Sequence, residues 1–289
     1  SAFFKVLTSE NLILLVDTSI VGETTNLQFK VPTRSGYGTY NYNIDTSDGQ
    51  SFSGLSAPKT ITFPSEGIYT VEISGDYPTS AFSTTTDAKK VTEIQNWGKQ
   101  VWGDWQNSWR GMYNMHITAT DTPDLSSCAT FRWAFYDCRV MNEDIGHWDV
   151  SNITTFGSCF YNCLEFNNGG SPNINNWVTS SATGTAFEYM FSSCYKFNQP
   201  VNNFNVSAGT SFFSTFYRCY VFNQDLNSWD VSNSTKFDDM FRQCTVFDGN
   251  ISSWTFKTSG NITTYRFLNA CRAFNQDISG WNTERFTSM

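Results

Sequence analysis

Six cysteines recur along the chain at nearly constant spacing. Successive members are separated by 25, 31, 25, 25 and 27 residues, and each lies three residues before an apolar residue that is followed by Asn or Asp. A period of this length is typical of repeat proteins, whose units bury their apolar faces only against their neighbours. We therefore expect an array of stacked repeats that presents a surface rather than a catalytic pocket. The cysteines are Cys138, Cys163, Cys194, Cys219, Cys244 and Cys271.

The composition argues against nucleic acid as a partner and is typical of exported or particle-surface proteins. The formal net charge is -8 over 289 residues, and no basic run is longer than Lys89-Lys90, so the chain has little with which to neutralise phosphates. Aromatic residues make up 17% of the chain and can fill a thin, elongated core. Charged residues make up only 15%, and Ser, Thr and Asn dominate the polar positions.

We expect no membrane span and no cofactor. The most apolar stretch near the start, residues 12–16, is far shorter than the ~20 residues that a bilayer requires. Lys5 and Glu10 interrupt the apolar residues around Phe3-Phe4, which is unlike a signal peptide. Two origins stay open for Ser1: a leader that has been removed, or an initiator methionine that has been lost. No Gly-rich phosphate loop occurs in the sequence.

Residues 1–78 carry short runs of β-forming residues separated by turn formers such as Asp48-Gly49, which predicts a small β-sandwich. The segment 42–49, followed by Gly67-Ile-Tyr-Thr-Val-Glu-Ile73, resembles the polycystic-kidney-disease-type (PKD) immunoglobulin-like module. That resemblance implies a spacer or presentation role. We interpret residues 79–88, with their Ser/Thr cluster, as a linker. Residues 89–289 are then the repeat domain, with an atypical opening unit at 89–127 and repeats at 128–289.

Each repeat carries two apolar patterns. Before the cysteine, apolar residues recur at i, i+3, i+4 and i+7, as in Phe156, Cys159, Phe160 and Cys163, which predicts a short helix. After it, an Ile-x-x-Trp-x-Val motif predicts a short strand with Trp and Val facing inward. The predicted fold is therefore α+β: an N-terminal β-sandwich followed by a leucine-rich-repeat-like solenoid with one short parallel strand and one short helix per repeat. The indoles assigned to the shared core are Trp148, Trp177, Trp229, Trp254 and Trp281.

The repeat itself resembles a known family. The run Phe222-Asn-Gln-Asp-Leu-Asn-Ser-Trp-Asp-Val-Ser-Asn233 and the run Phe274-Asn-Gln-Asp-Ile-Ser-Gly-Trp281 resemble the leucine-rich-repeat variant of BspA-like surface proteins, F-N-x-D-I-S-x-W-D-V-S-N. The resemblance extends over residues 89–289. It implies a surface-exposed protein used in adhesion, recognition or attachment, of a kind found on bacteria and also encoded by some viruses and protists. Phe204 in place of Trp and the insertion near Gly169 depart from the pattern.

The residues that could carry chemistry have simpler structural interpretations. The aligned cysteines, together with Cys128 and Cys159, fall on inward positions and are expected to be buried thiols. A zinc site made by Cys159, Cys163 and His147 has no C-x2-C pair to support it, so we expect no metal. The recurring acids Asp144, Asp225 and Asp277 could mimic a glycosidase pair or a calcium ladder, but one shared register favours a role in turns. We expect no catalytic residue.

The outward side of the predicted sheet is the candidate binding surface. Its side chains flank the buried Trp and Val positions and form an uncharged-to-acidic strip that suits hydrogen bonding to a glycan or a protein, although a merely solvated face is an equal alternative. The strip comprises His147, Asp149, Ser151, Asn203, Asn205, Ser207, Ser228, Asp230, Ser232, Ser253, Thr255 and Lys257.

The leading hypothesis is a non-enzymatic adhesion or recognition protein that is extracellular, at a cell surface. The alternative is a structural or host-attachment subunit of a viral particle or appendage, with a virion-surface location. Two features favour that alternative: Ser1 can follow removal of Met, and residues 281–289 break off where the next predicted helix should begin. Its partners would be sister subunits, whereas an adhesin would bind a protein or glycan on another surface.

Overall fold

A computed structural model of the protein describes residues 10–82 and 86–288. The strands of the first hundred residues are β1 (Leu12–Asp17), β2 (Gln28–Val31), β3 (Asn41–Thr46), β4 (Ser51–Leu55), β5 (Lys59–Thr62), β6 (Ile68–Asp76) and β7 (Val91–Asn96). Further along lie β8 (His116–Ile117), β9 (Ile262–Thr263) and β10 (Phe286–Ser288). Short 3-10 helices include Thr86–Lys90, Asn168–Gly170 and Pro172–Asn176.

One mixed sheet connects the N-terminal region to the repeats. Its strand order is β4-β3-β6-β1-β7-β8, with β1 antiparallel to both β6 and β7 and with β7 parallel to β8. Strand β3 shows why the chain forms a sheet here, because Tyr42, Ile44 and Thr46 alternate inward. Strands β2 and β5 form a separate antiparallel pair, with Phe29 opposite Ile61. The larger sheet crosses the predicted boundary at residues 79–88, since β7 belongs to the predicted repeat domain.

The predicted linker is packed inside the protein where the structure describes it. Thr79, Ser80 and Phe82 are buried, and the Tyr40 hydroxyl donates to the Thr79 carbonyl at 2.9 Å. Residues 83–85 lie outside the described residues. The domain boundaries therefore stay a prediction, but the two regions share buried contacts instead of being joined by an exposed tether.

A buried ion pair fixes the start of β7 to the loop before β2. Lys90 is fully buried, and its Nζ donates to the carbonyls of Thr25 and Gln28, each at 2.7 Å. The Asp87 carboxylate lies 3.8 Å from the same Nζ and accepts the backbone N–H of Lys30 at 2.9 Å. Because these donors and acceptors satisfy both charges, the pair can lie in the core without an unpaired buried ion.

Four tryptophans fill the junction between the sheet and the repeats. Trp97, Trp102, Trp105 and Trp109 are fully buried, with ring centres 5.2–6.1 Å apart. Trp105 also stacks on Phe131 at 5.0 Å, which carries the packing into the first repeat. Their indole N–H groups find no acceptor among the described residues, at a cost of about 1–3 kcal/mol for each unpaired donor. The cluster is therefore held by ring packing rather than by hydrogen bonds.

The predicted helix of each repeat is wrong, because the part of the chain that the structure describes contains no α-helix. In the segment 156–163, Phe156, Ser158, Phe160 and Asn162 donate their backbone N–H groups to the next unit, with N···O distances of 2.8–3.0 Å. Their acceptors there are the carbonyls of residues 186, 188, 190 and 192. The intervening residues 159, 161 and 163 donate within their own unit, three residues back. We call this pattern the inter-unit ladder; segments that begin at residues 107, 131, 189, 212 and 237 repeat it.

Left-handed backbone explains why a helix-like sequence pattern produces this ladder. Two non-glycine residues in each unit, four positions apart, have positive φ, as at Ser158 (φ 55) and Asn162 (φ 61). An α-helix requires negative φ throughout. Each such residue costs roughly 1–2 kcal/mol. The ladder bonds, at about 0.5–1.5 kcal/mol each, and the burial of Phe and Cys between units offset that cost.

The predicted strand of each repeat is also absent from the described residues, so the predicted leucine-rich-repeat-like solenoid is wrong as a fold class. Trp229 and Val231 are buried as expected, but their segment is a turn without strand pairing. Apart from the short parallel pair of β9 and β10, the parallel contacts between repeat units are isolated bridges, such as Thr130 with Thr155. The described chain is a β fold of mixed sheets joined to turn-built units. The strand prediction failed because alternating burial in this segment arises from turns.

Two columns of side chains hold successive units in register. The Oδ1 atom of Asn142 accepts the N–H of Asn167 at 2.6 Å, and the same bond recurs from Asn167 through to Asn275. The indole N–H groups of Trp177, Trp229 and Trp254 each donate to a carbonyl of the preceding unit at 2.8–3.1 Å. These hydrogen bonds of the Asn and Trp side chains therefore fix how each unit lies against its neighbour.

The left-handed backbone can be tested at two exposed alanines of the last unit. Ala270 has φ 63, whereas Ala273 does not have a positive φ. We expect Ala270→Gly to raise the free energy of unfolding by about 0.5–1 kcal/mol, because glycine relieves strain of roughly 1–2 kcal/mol and adds backbone entropy to the unfolded chain. Ala273→Gly, the matched control, should lower it by a similar amount. Urea unfolding of both variants measures this, and destabilisation by Ala270→Gly would contradict the assignment.

Candidate recognition surface

The predicted binding strip lies on turns rather than on a sheet. Its members are exposed or half-buried. Asp149, Asn205 and Asp230 each accept the backbone N–H of the residue two positions later, at 3.0, 3.2 and 3.0 Å. Ser228 donates to the Asn202 carbonyl at 2.6 Å. Much of the strip's hydrogen-bonding capacity is therefore used to form turns.

Three strip residues keep their polar groups free. The side chains of His147, Thr255 and Lys257 are exposed and make no hydrogen bond within the described part of the chain. Thr255 and Lys257 come from one unit and His147 from a unit that is not adjacent to it, so the three do not form a compact site. The strip stays a prediction, and its geometry gives no arrangement that selects a ligand.

The recurring carboxylates serve turns in the same way. Asp225 accepts the N–H of Asn227 at 2.8 Å, and Asp277 accepts the N–H of Ser279 at 2.9 Å. The bond from Ser279 holds the pKa of Asp277 below its ordinary value, and hydrogen bonds from Ser151 do the same for Asp149. A general acid in a glycosidase needs the opposite shift. The carboxylates of Asp277 and Asp149 are thus suited to capping turns and not to donating protons.

The repeat cysteines form a buried column between units. The Sγ atoms of Cys163, Cys194, Cys219 and Cys244 each donate to a carbonyl of the preceding unit at 2.9–3.0 Å. Burial raises the pKa of Cys128 to about 12, and that of the half-buried Cys271 to about 12. The described residues hold all eight cysteines as free thiols and contain no group of three or more potential metal ligands. Chemistry that needs a thiolate has no group ready to supply it.

A surface that the sequence analysis did not single out lies on the outer side of the ladder segments. Tyr136 stacks on Tyr161 with ring centres 4.6 Å apart, Tyr161 lies 6.1 Å from Tyr189, and Tyr189 lies 5.0 Å from Phe213. All four rings are half-buried and come from four successive units. A cation covers each end, with the Arg110 guanidinium 4.3 Å from the Tyr136 ring centre and the Lys236 ammonium 4.4 Å from that of Phe213. Lys236 is also paired with the Glu188 carboxylate at 3.7 Å, whereas Arg110 has no such partner among the described residues. We call these six side chains the aromatic column.

Basic residues concentrate around the aromatic column. Of 18 Lys and Arg residues, six lie on or directly beside the ladder segments, against four of the 26 Asp and Glu residues. Within the described chain, the guanidinium groups of Arg110, Arg132 and Arg218 have no carboxylate within ion-pair distance. This face is thus basic in an acidic protein. The six basic residues are Arg110, Arg132, Arg139, Arg218, Lys236 and Arg242.

The sequence did contain a signal for this surface. Tyr136, Tyr161 and Tyr217 all lie two residues before a repeat cysteine, at a position that the helix interpretation left on the solvent side. Only the ladder shows that this position stacks from one unit to the next.

None of the helices that the structure describes has the length and apolarity needed to cross a membrane.

The thiol column gives a pH-dependent prediction. Since burial raises the folded pKa of Cys128 from 9.0 to about 12, the unfolded chain loses its thiol protons first as the pH rises. We expect the free energy of unfolding to be constant below about pH 8 and to fall above it, by about 1.4 kcal/mol per buried thiol at pH 10. Urea unfolding from pH 7 to 10.5 measures this, with Cys128→Ala as the control that should reduce the slope. A slope that Cys128→Ala leaves unchanged would contradict the account.

The chain matches the family described as "Mycoplasma protein of unknown function, DUF285" over residues 79–185, 129–254 and 170–281. Together these matches span residues 79–281, well over half of the 289 residues, and include all six repeat cysteines and the aromatic column. No curated protein and no solved structure matches the chain. The protein therefore belongs to the DUF285 family.

Proposed function

We propose that the protein is a non-enzymatic recognition protein that works at an exposed surface and binds its partner through the aromatic column. The observation that carries this proposal is the continuous row of half-buried rings from four successive units, covered at one end by the Arg110 guanidinium, which has no carboxylate within ion-pair distance in the described chain. Aromatic and Arg side chains dominate the binding energy of protein interfaces, because they offer large contact areas and directed donors.

The chemistry of the rest of the chain supports a binding role over a catalytic one. The buried thiols have raised pKa values, as at Cys128, and carboxylates such as Asp149 are engaged in turns. The resemblance of the repeats to BspA-like surface proteins supports adhesion or recognition at a cell surface, outside the cell. The PKD-like resemblance of the first 78 residues supports a module that holds the recognition surface away from its attachment point.

The alternative function, a structural or attachment subunit of a viral particle or appendage, is favoured by a different surface. A pocket of about 380 Å³ is lined by apolar side chains that include Phe267, Leu268, Ile278, Trp281 and Phe286. An apolar pocket of this kind suits packing against a sister subunit. Sedimentation at increasing concentration distinguishes the two functions, because the assembly function requires association and the recognition function does not.

Removing one ring from the aromatic column tests the proposed function. We expect Tyr161→Ala to weaken binding to target cells or particles about 30-fold, the effect of losing a contact worth about 2 kcal/mol at an interface. Tyr195→Ala is the matched control, because Tyr195 is also half-buried and packs against a tyrosine, with the Tyr220 ring centre 4.8 Å away, but has no ring contact with the column. Flow cytometry or pull-down with the labelled chain measures binding. Equal binding by Tyr161→Ala and the control would rule out the column as the recognition surface.

A further inference from the structure

We propose that the aromatic column binds a linear polysaccharide that carries carboxylate groups, an inference that rests on the proposed function and names the ligand class of the same surface. The argument uses the ring geometry, the unpaired cations and the spacing of the units. Each of these is independent of the predicted strip, which lies on other turns.

The rings offer their edges to a ligand. Tyr136 and Tyr161 are nearly parallel, with 9° between their planes, and Arg110 covers the other face of Tyr136. The faces are thus occupied, and the ring edges and phenol hydroxyls remain for contact. The edge of an aromatic ring is its electropositive part. An oxygen-rich, anionic ligand therefore fits these edges better than a cation or an apolar group does.

The phenol hydroxyls have free hydrogen-bonding capacity. Those of Tyr136, Tyr161 and Tyr189 make no hydrogen bond to any residue in the described ranges. Each can donate to a carboxylate oxygen and accept from a sugar hydroxyl. A polymer that carries both groups on every monomer satisfies the two roles at once.

The cations specify the charge of the ligand. Arg110 bonds only to the amide of Asn107 at 3.3 Å, and Arg218 only to the amide of Gln243 at 2.9 Å, so neither positive charge is neutralised by a carboxylate in the described chain. A guanidinium binds a carboxylate with two parallel N–H···O bonds. The whole chain has a net charge of -8. These unpaired guanidinium groups nevertheless make this face locally positive, so it attracts an anion.

The spacing of the units favours a polymer over a compact ligand. Four successive units each contribute one ring at intervals of 4.6–6.1 Å, and the first three of these rings carry a phenol hydroxyl. Each contact is weak, so affinity must come from several contacts made by one molecule. A polyuronate offers one carboxylate per sugar at fixed intervals. An acidic peptide could supply the charges, but its side chains lack the sugar hydroxyls that the phenols can meet.

The test uses the whole chain and three polymers: polygalacturonate, its methyl ester and poly-glutamate. Isothermal titration should show binding to polygalacturonate that increases with polymer length and falls at least tenfold when the carboxylates are esterified. Added salt should weaken binding, as expected for exposed charges. Arg110→Gln and Tyr161→Ala should each weaken binding at least tenfold. Arg285→Gln, which removes the same charge from an exposed residue outside both the column and the predicted strip, should leave it unchanged.

Each other outcome overturns a specific part of the inference. Equal binding of the methyl ester would refute the requirement for an anion, and equal or tighter binding of poly-glutamate would refute the polysaccharide. Absence of binding to all three polymers, while Tyr161→Ala still abolishes cell binding, would refute the ligand class and leave the proposed function standing. Polygalacturonate binding together with unchanged cell binding by Tyr161→Ala would instead refute the proposed function.

Discussion

The inter-unit ladder is the interaction on which the rest of the repeat region depends. In residues 156–163, every second backbone N–H leaves its own unit and bonds to the next one. This is possible only because Ser158 and Asn162 adopt left-handed backbone. A unit alone would have the backbone strain of two left-handed residues without the inter-unit hydrogen bonds that offset it. Each unit is therefore stable only beside its neighbours, in keeping with the nearest-neighbour behaviour of repeat proteins.

The ladder decides what each side chain can do. It directs the Cys163 thiol at a carbonyl of the preceding unit, where it is buried and inert, and it aligns the Asn side chains so that each caps the next. It also carries the outward positions from unit to unit, and so places Tyr136 and Tyr161 in stacking contact. The same geometry thus produces both the structural columns inside and the aromatic column outside.

The sequence predicted the repeats, the burial of cysteines and indoles, and the turn role of residues such as Asp225. It did not predict the backbone. The i, i+3, i+4, i+7 pattern at Phe156 to Cys163 fits a helix as well as it fits the ladder. The left-handed positions are occupied by Ser158 and Asn162, so no glycine marks them in the sequence. The candidate site was missed for the same reason, because Tyr161 aligns with Tyr136 only when the units are stacked through this ladder. Thr79 and Ser80 were assigned to a linker because of the local Ser/Thr composition, although both are buried in the core.

The most direct test of the account is the scalar coupling across the hydrogen bond made by the Phe160 amide. The ladder predicts that the nitrogen of Phe160 couples to the carbonyl carbon of Met190, 30 residues later, across an N···O distance of 3.0 Å. A helix would instead couple it to the carbonyl of Phe156, four residues earlier. Observation of the Met190 coupling would establish the ladder, and observation of the Phe156 coupling would contradict it.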